Sequence, residues 1–369
     1  MNILYRIIFM ERSHKLQEMI KWKKFYTMSL SDIDFNMYME KPSIVGIMEH
    51  GEVIKKPQHM SYFRLPNQCE YPLDLNKGFE NYKYRTENKF SNSLDLIAVH
   101  IMSDNNKGNN NIATNANSKI EVVTHRGLLA ALMEAPYYEF LKRSFKIRAI
   151  KYKNKLFLVK GFHNSNLFPN STHHFKFKQY IFSDDPGRQP DSNTAINEEE
   201  QLYCIFRSQL DNLNMLYSAE IQGILSENKI ENFNNLKQCR FVHTKLIWEN
   251  VPDWMSKPHI IDWWIKAYLV AVEDLYLGCK NKHGFVTQPI KHCAVKDLAE
   301  NQSWCPKVCI KFMHTFINRI IEEMKGVDSP YTCYEYSFDH GKGCFFSRVH
   351  EGKTSYSFLP EDFVEYLKK

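Results

Sequence analysis

Two short pairs in the amino-acid sequence carry residue types that do chemistry. Glu220 and Gln222 lie two apart in Ser218-Ala219-Glu220-Ile221-Gln222, and His243 and Lys245 lie two apart in Phe241-Val242-His243-Thr244-Lys245. Alternate side chains of a β-strand share a face, so each pair is predicted to project from one side of its strand. Metal-dependent nucleases use such a frame, with acid-x-acid on one strand and acid-x-Lys on a neighbour. The carboxylates gather hard divalent cations, which activate water and neutralise the scissile phosphate. Here only the frame remains, and strand residues at this spacing are common, so the pairs alone name no reaction.

The elements that must hold these pairs follow from periodicity. Residues 1 to about 27 are expected to form a polar-faced helix within an N-terminal extension, residues 1–40. Lys41 to Asn88 is rich in Pro, Tyr and short strand-like runs, and the Asn-rich stretch 104–119 is expected to be a mobile surface loop. Beyond it, Ile120 to Thr124 is strand-like and Gly127 to Tyr138 helical. Phe145 to Tyr152 and Lys155 to Gly161 are paired strands turning at Lys153 and Asn154. A helix is expected over Glu198 to Leu210, and strands over Leu216 to Gly223 and Arg240 to Ile247. Pro258 opens a helix predicted to run through Val272, followed by a hairpin at Asn281-Lys282-His283-Gly284. A helix from Pro306 to Lys325 precedes two closing strands around Asp339-His340-Gly341. Strands and helices mix without a regular βαβ rhythm, which predicts α+β.

Composition narrows the class of partner. A formal net charge of +6 permits an RNA ligand without demanding one. Nine Cys cannot all pair, which fits a reducing compartment. Cys305, Cys309 and His314 lack a second ligand pair at zinc-finger spacing, so no metal site is expected from them. The apolar start, Ile3 to Met10, is too short to span a bilayer and is interrupted by Arg6. No membrane association is expected. His173 and His174 are expected on a surface loop, and Trp263 and Trp264 in the core rather than stacked on a base.

Taken together, the flanks carry a specific resemblance. Val122-Val123-Thr124-His125-Arg126-Gly127 followed by Ala135-Pro136-Tyr137 resembles the T-x-R-G…P-Y motif of the DXO decapping-exoribonuclease family. Phe175-Lys176-Phe177-Lys178-Gln179-Tyr180, Asp184-Asp185-Pro186-Gly187 and Phe206-Arg207-Ser208 are similar to its central segment. Glu220-Ile221-Gln222 sits where that family has Glu-hydrophobic-Asp, and His243-Thr244-Lys245 where it has Glu-hydrophobic-Lys. Trp263-Trp264-Ile265-Lys266-Ala267-Tyr268-Leu269, Gly278, Gly284-Phe285-Val286 and Ser357-Phe358-Leu359-Pro360 continue the match in order.

The resemblance implies one α+β domain over 41–369, built from two large twisted mixed β-sheets with helices outside and a cleft between the sheets. It also implies that the catalytic positions are degenerate. Lys160 is aligned with a metal-binding Glu, Gln222 replaces an Asp, His243 a Glu and Lys266 a Gln, while Lys178 is one more acid-to-Lys change. Arg126, Glu220 and Lys245 keep the family type. With His neutral, Lys160, Glu220, Gln222 and His243 sum to zero charge where the family has four acids, so no metal, no cofactor and no catalytic residue are expected. Arg126, Lys160, His243, Lys245 and Lys266 are the expected contacts to RNA phosphate. The implied protein is a nuclear pseudoenzyme that shields RNA 5′ ends from decapping and 5′–3′ degradation, with nuclear protein partners in a chromatin-associated complex acting on piRNA precursors. A protein-interaction scaffold with an idle cleft, and a residual metal-dependent decapping hydrolase, are the alternatives.

Overall fold

The structure, a computed structural model, describes residues 23–26, 37–49, 52–54, 60–84, 93–105, 120–137, 144–161, 172–198, 202–251, 253, 255, 259–339 and 344–369. Among them the strands form two large mixed sheets. The first runs β1 (Lys23–Tyr26), β18 (Cys344–His350), β17 (Cys333–Asp339), β7 (Phe145–Tyr152), β8 (Lys155–Lys160), β6 (Glu121–His125), β11 (Leu213–Glu220), β10 (Tyr203–Leu210), β2 (Ser43–Glu49) and β3 (Glu52–Val53). The second runs β5 (Leu73–Asp74), β15 (Phe285–Val286), β14 (Asp274–Lys280), β13 (Arg240–Trp248), β12 (Gly223–Leu225), β4 (Tyr62–Phe63) and β9 (Phe182–Ser183), with β16 (Lys291–Ala294) also paired to β14. Parallel pairs (β6 with β8 and β11, β13 with β14) lie among antiparallel ones, as expected for α+β.

Seven helices complete the described residues: α1 (Ser93–Asn105), α2 (Arg126–Glu134), α3 (His173–Ile181), α4 (Phe233–Gln238), α5 (His259–Tyr268), α6 (Pro306–Glu323) and α7 (Glu361–Lys368). The largest core joins residues of both sheets to α2, α5 and α6, through Leu128, Leu132, Ile265, Phe312, Tyr217 and Leu277. A second core lies under α1 and α7 (Ile97, Phe363) with Val123, Phe157 and Leu216 of the first sheet. A third lies under α3, where Phe177 and Ile181 meet Val242 and Val286. Trp263 and Trp264 are buried, as their helical spacing predicts.

Several expectations are corrected. Lys23–Tyr26, placed at the end of a helix from the sequence, pairs antiparallel with β18, because β18 offers an open edge whose backbone groups need partners. The expected helix over Glu198 to Leu210 is instead strand β10. Its Tyr, Ile and Phe content suits a pleated surface, and Asp211 at φ 51° turns the chain into a hairpin with β11. Helix α5 stops at Tyr268, short of Val272, with Ala271 at φ 53° ending the helical path. Asp104 and Asn105 close α1, while 106–119 and residues 1–22 lie outside the described residues. The turn at Lys153 and Asn154, both at positive φ, forms where expected.

Candidate functional site

The site forms where the chain passes from one sheet to the other. Strand β11 ends at Glu220 in the first sheet, and β12 starts at Gly223 in the second, so Ile221 and Gln222 are a link rather than a continuing strand. Glu220 and Gln222 therefore do not share a strand face, contrary to the reading from spacing. The link is held tightly: a Cβ on Gly223 would stand 2.3 Å from the Phe182 ring and 2.7 Å from the Ser61 carbonyl oxygen, so only glycine fits.

Each neighbouring element delivers one or two polar side chains. Strand β6 runs parallel to β11 and leads directly into α2, which puts Arg126 beside Glu220. Its Nη1 donates to the Glu220 carbonyl oxygen at 3.0 Å. Helix α3 seats Phe177 against β14 at Gly278, where a Cβ would stand 2.5 Å from that ring. This holds Lys178 over the cleft, in an ion pair with the Glu220 carboxylate. On β13, His243 and Lys245 share a face with Phe241 and Ile247 of the main core. Helix α5 is fixed by Tyr217, whose hydroxyl donates to the Leu269 carbonyl at 2.8 Å. It presents Lys266, paired with Asp262 one turn earlier at 2.6 Å. Lys178, Glu220 and Gln222 line a cavity of about 620 Å³ together with Phe175, Gln179 and 194–197.

Protonation follows from these neighbours. Burial alone would push the Glu220 carboxyl up, but Lys178 and Arg126 overcome it and hold it below the usual value. His243 is driven well below its ordinary value, first by burial and then by Arg126, Lys245, Lys178 and Lys266, so its imidazole is neutral. Its Nε2 is buried without a hydrogen-bond partner. Burial pulls Lys245 down to about 8, opposed by Asp262 and reinforced by Lys266 and Arg126. Its Nζ lies 5.7 Å from the Trp263 ring centroid.

Sequence reasoning missed two carboxyls here. Glu134, at the end of α2, and Asp262, on α5, are hydrogen-bonded to each other. Burial and the Asp262 charge raise Glu134 to about 8, while Lys266 and Lys245 overcome burial to keep Asp262 low. The i, i+4 spacing of Asp262 and Lys266 was a usable signal for the second; Glu134 carries no local signal. Lys178, an acid-to-Lys change to which the sequence assigns no role, is the residue that pairs with the Glu220 carboxylate. Lys160 stands apart from that pair: it is exposed at the end of β8, with Nζ 5.7 Å from the Phe145 ring centroid, and it acts electrostatically on His125 and Glu134. His125 itself is lowered to about 4 by burial, Lys160 and Arg126.

At neutral pH Arg126, Lys178, Lys245 and Lys266 stand around the sheet junction against two ionised carboxylates, Glu220 and Asp262; of these Lys178 and Glu220 line the cavity itself. This donor set does not fit divalent cations. The Glu220 carboxylate is occupied by Lys178, and the Gln222 Oε1 accepts from the Thr244 N–H at 2.6 Å and from its hydroxyl at 3.1 Å. An ammonium about 4 Å from a dication repels it by roughly 8 kcal/mol at an effective dielectric near 20. Among the described residues no group of three or more His, Cys, Asp or Glu is placed to hold a metal. Cys305 caps α6, Cys309 is buried and His314 meets Asn212 and Asp211. No described helix is long and apolar enough to cross a membrane.

Two mixed sheets with an acid and a lysine brought together at their junction define a nuclease-type frame. The chain belongs to the RAI1-like PD-(D/E)XK nuclease family, whose family model matches residues 46–364; this is a family of metal-dependent decapping nucleases. The Drosophila melanogaster decapping and exoribonuclease protein Rai1 is 23% identical over 326 residues, 81% of this chain and 85% of its own length. Protein cutoff of the same fly is 22% identical over 339 residues, 85% of this chain and 83% of its own. Among solved structures, Candida albicans Rai1 in complex with pU5 and Mn2+ superposes with a TM-score of 0.75 at 13% identity, covering 95% of this chain and 99% of that one. Scheffersomyces stipitis Rai1 in complex with (3′-NADP)+ and calcium gives 0.73 at 16% identity, covering 93% and 99%. These structures share the fold.

Proposed function

We propose that this chain is a non-catalytic member of its family that holds the 5′ phosphate of an RNA end in the cleft and so shields it from decapping and 5′–3′ degradation. One observation carries the reading. Glu220, the acid retained at the sheet junction, is neutralised by Lys178 within a cluster that has two positive charges to spare. Two-metal hydrolysis needs anionic oxygens free for the cations, whereas a phosphate needs donors and positive charge. Arg126, Lys178, Lys245 and Lys266 supply both, His243 adds a neutral ring whose Nε2 has no partner, and Lys160 extends the positive field outward. Related structures, in complex with pU5 or with (3′-NADP)+, support phosphate-bearing nucleotides as the ligand class. The same reading sets the protein in a nuclear, chromatin-associated complex acting on transcripts such as piRNA precursors, as the sequence resemblance implies.

Fluorescence anisotropy in chelator, comparing 5′-monophosphorylated with 5′-hydroxyl RNA, tests the reading. The phosphorylated strand is expected to bind more tightly, and Lys178→Ala or Lys266→Ala to remove the difference. Release of nucleotides or cap fragments in magnesium or manganese, abolished by Glu220→Ala, overturns it in favour of a surviving hydrolase. A protein without RNA affinity that still co-purifies with nuclear partners overturns it in favour of a scaffold.

A further inference from the structure

Beside the cleft lies an aromatic surface that phosphate binding does not use. Phe175 lines the cavity with Lys178, whose Nζ is 5.1 Å from its ring centroid. From Phe175 the rings step outward: Tyr82 meets it edge-on at 6.2 Å, Tyr84 lies 4.7 Å from Tyr82, and Phe79 lies 6.0 Å from Tyr82. His174 packs on Phe175 at 4.0 Å.

None of these rings belongs to the three cores, and Tyr84 and Phe79 remain 42% and 36% exposed. A hydrophobic core therefore does not account for the cluster, and contiguous exposed apolar surface marks a binding site more often than isolated rings do. The segment is also held in place. Gly78 turns the chain at φ 75°, the Lys83 N–H donates to the Ile196 carbonyl at 2.9 Å, and the Glu198 N–H donates to the Lys83 carbonyl at 3.0 Å. Tyr82 adds a hydrogen bond from its hydroxyl to the Glu198 carboxylate at 2.5 Å. Ile196 belongs to the cavity wall, so backbone hydrogen bonds tie the ring-bearing segment to the cavity. Exposed Lys77 and Lys83 flank the rings, with the Glu80 and Glu198 carboxylates beside them, so the ring-bearing segment itself carries no surplus of charge.

We infer that Phe175, Tyr82, Tyr84 and Phe79 form a stacking track for the bases of a single-stranded RNA whose 5′ end sits in the cationic cleft. This inference rests on the phosphate-site reading above. Every base offers a π-face, so rings beside a cationic groove bind a strand without reading its sequence, and bases paired within a duplex are not open to them. The continuity of the rings, through Phe175, with the cavity that holds Lys178 and with the cationic cluster behind it makes a nucleic-acid strand a better occupant than an apolar peptide.

The test compares 5′-phosphorylated A5 with 5′-AMP, in chelator, by anisotropy and competition. Tyr84→Ala and Phe79→Ala, at exposed positions that leave the cores intact, are each expected to weaken A5 on the order of tenfold and to leave 5′-AMP unchanged. Tyr84→Trp is expected to retain affinity, and a strand with abasic sites at its second to fourth positions to bind the parent as weakly as A5 binds the alanine variants. Unchanged A5 affinity in both alanine variants, or an abasic strand that binds as tightly as A5, overturns the track while leaving the phosphate site standing. If neither A5 nor 5′-AMP binds, the phosphate-site reading fails and the track with it.

Discussion

Two partly buried carboxyl groups near the sheet junction, Glu220 and Glu134, hold different charge states. Glu220 has Lys178 and Arg126 against it and is kept ionised, whereas Glu134 faces Asp262 and is raised to about 8. Burial raises both, so burial does not decide the outcome; the sign of the nearest charge does. The lysines contributed by α3, β13 and α5 thus set the electrostatics of a frame that the family builds around acids.

The strongest test of this contrast reverses the charges. Lys178→Glu combined with Gln222→Asp and His243→Glu, around the native Glu220, is expected to give saturable Mn2+ binding by calorimetry. No binding would mean that something other than charge keeps metal out. Next in size, Arg126→Met removes a buried cation from Glu220 and is expected to lower stability by about 3 kcal/mol, read as a shifted urea midpoint at constant slope.

Glu134 gives a pH signature of its own. Its carboxyl moves from 4.5 to about 8 on folding, so the fold favours the protonated form. That stability is fully present below pH 4.5 and is lost as pH rises towards 8. Glu134→Gln is expected to flatten the dependence, by roughly 2 kcal/mol over the 1.5 pH units just below the raised value, in thermal melts; an unchanged profile would place the titration elsewhere. Over the pH step from 7 to 9 Lys245 loses its proton and Glu134 gains a charge, which cancels the positive surplus of the cleft. RNA affinity is expected to fall roughly tenfold per charge lost, and Lys245→Arg to retain half of the effect. The smallest change is expected for Lys160→Ala, within about 0.5 kcal/mol of the parent in stability, because the side chain is exposed and outside the Glu220 pair.

Much of the fold was legible because its signals are local. The Lys153-Asn154 turn, the helix opened by Pro306 and the hairpin at Gly284 depend on neighbours in sequence. Strand β10 was misread because residues buried on both faces obscure the two-residue period, and its partners β2 and β11 are supplied by tertiary structure. At the site, motif order pointed to Arg126, Glu220, Gln222, His243, Lys245 and Lys266, but not to which lysine would meet Glu220. That pairing depends on how α3 docks against Gly278, a contact across 101 positions that no periodicity reveals. Glu134 is hidden for the same reason, since its partner Asp262 stands on α5, whereas Asp262 itself carries a local signal in its i, i+4 spacing to Lys266.

The two-residue passage from β11 to β12 has a mechanical consequence. A single stretch of backbone belongs to the end of one sheet and the start of the other, and Gly223 is clamped beneath the Phe182 ring. The sheets cannot part there like jaws without tearing strand pairing on one side. The opening between the sheets is therefore preset at this point, fixed by the backbone itself rather than by side chains that could swing aside.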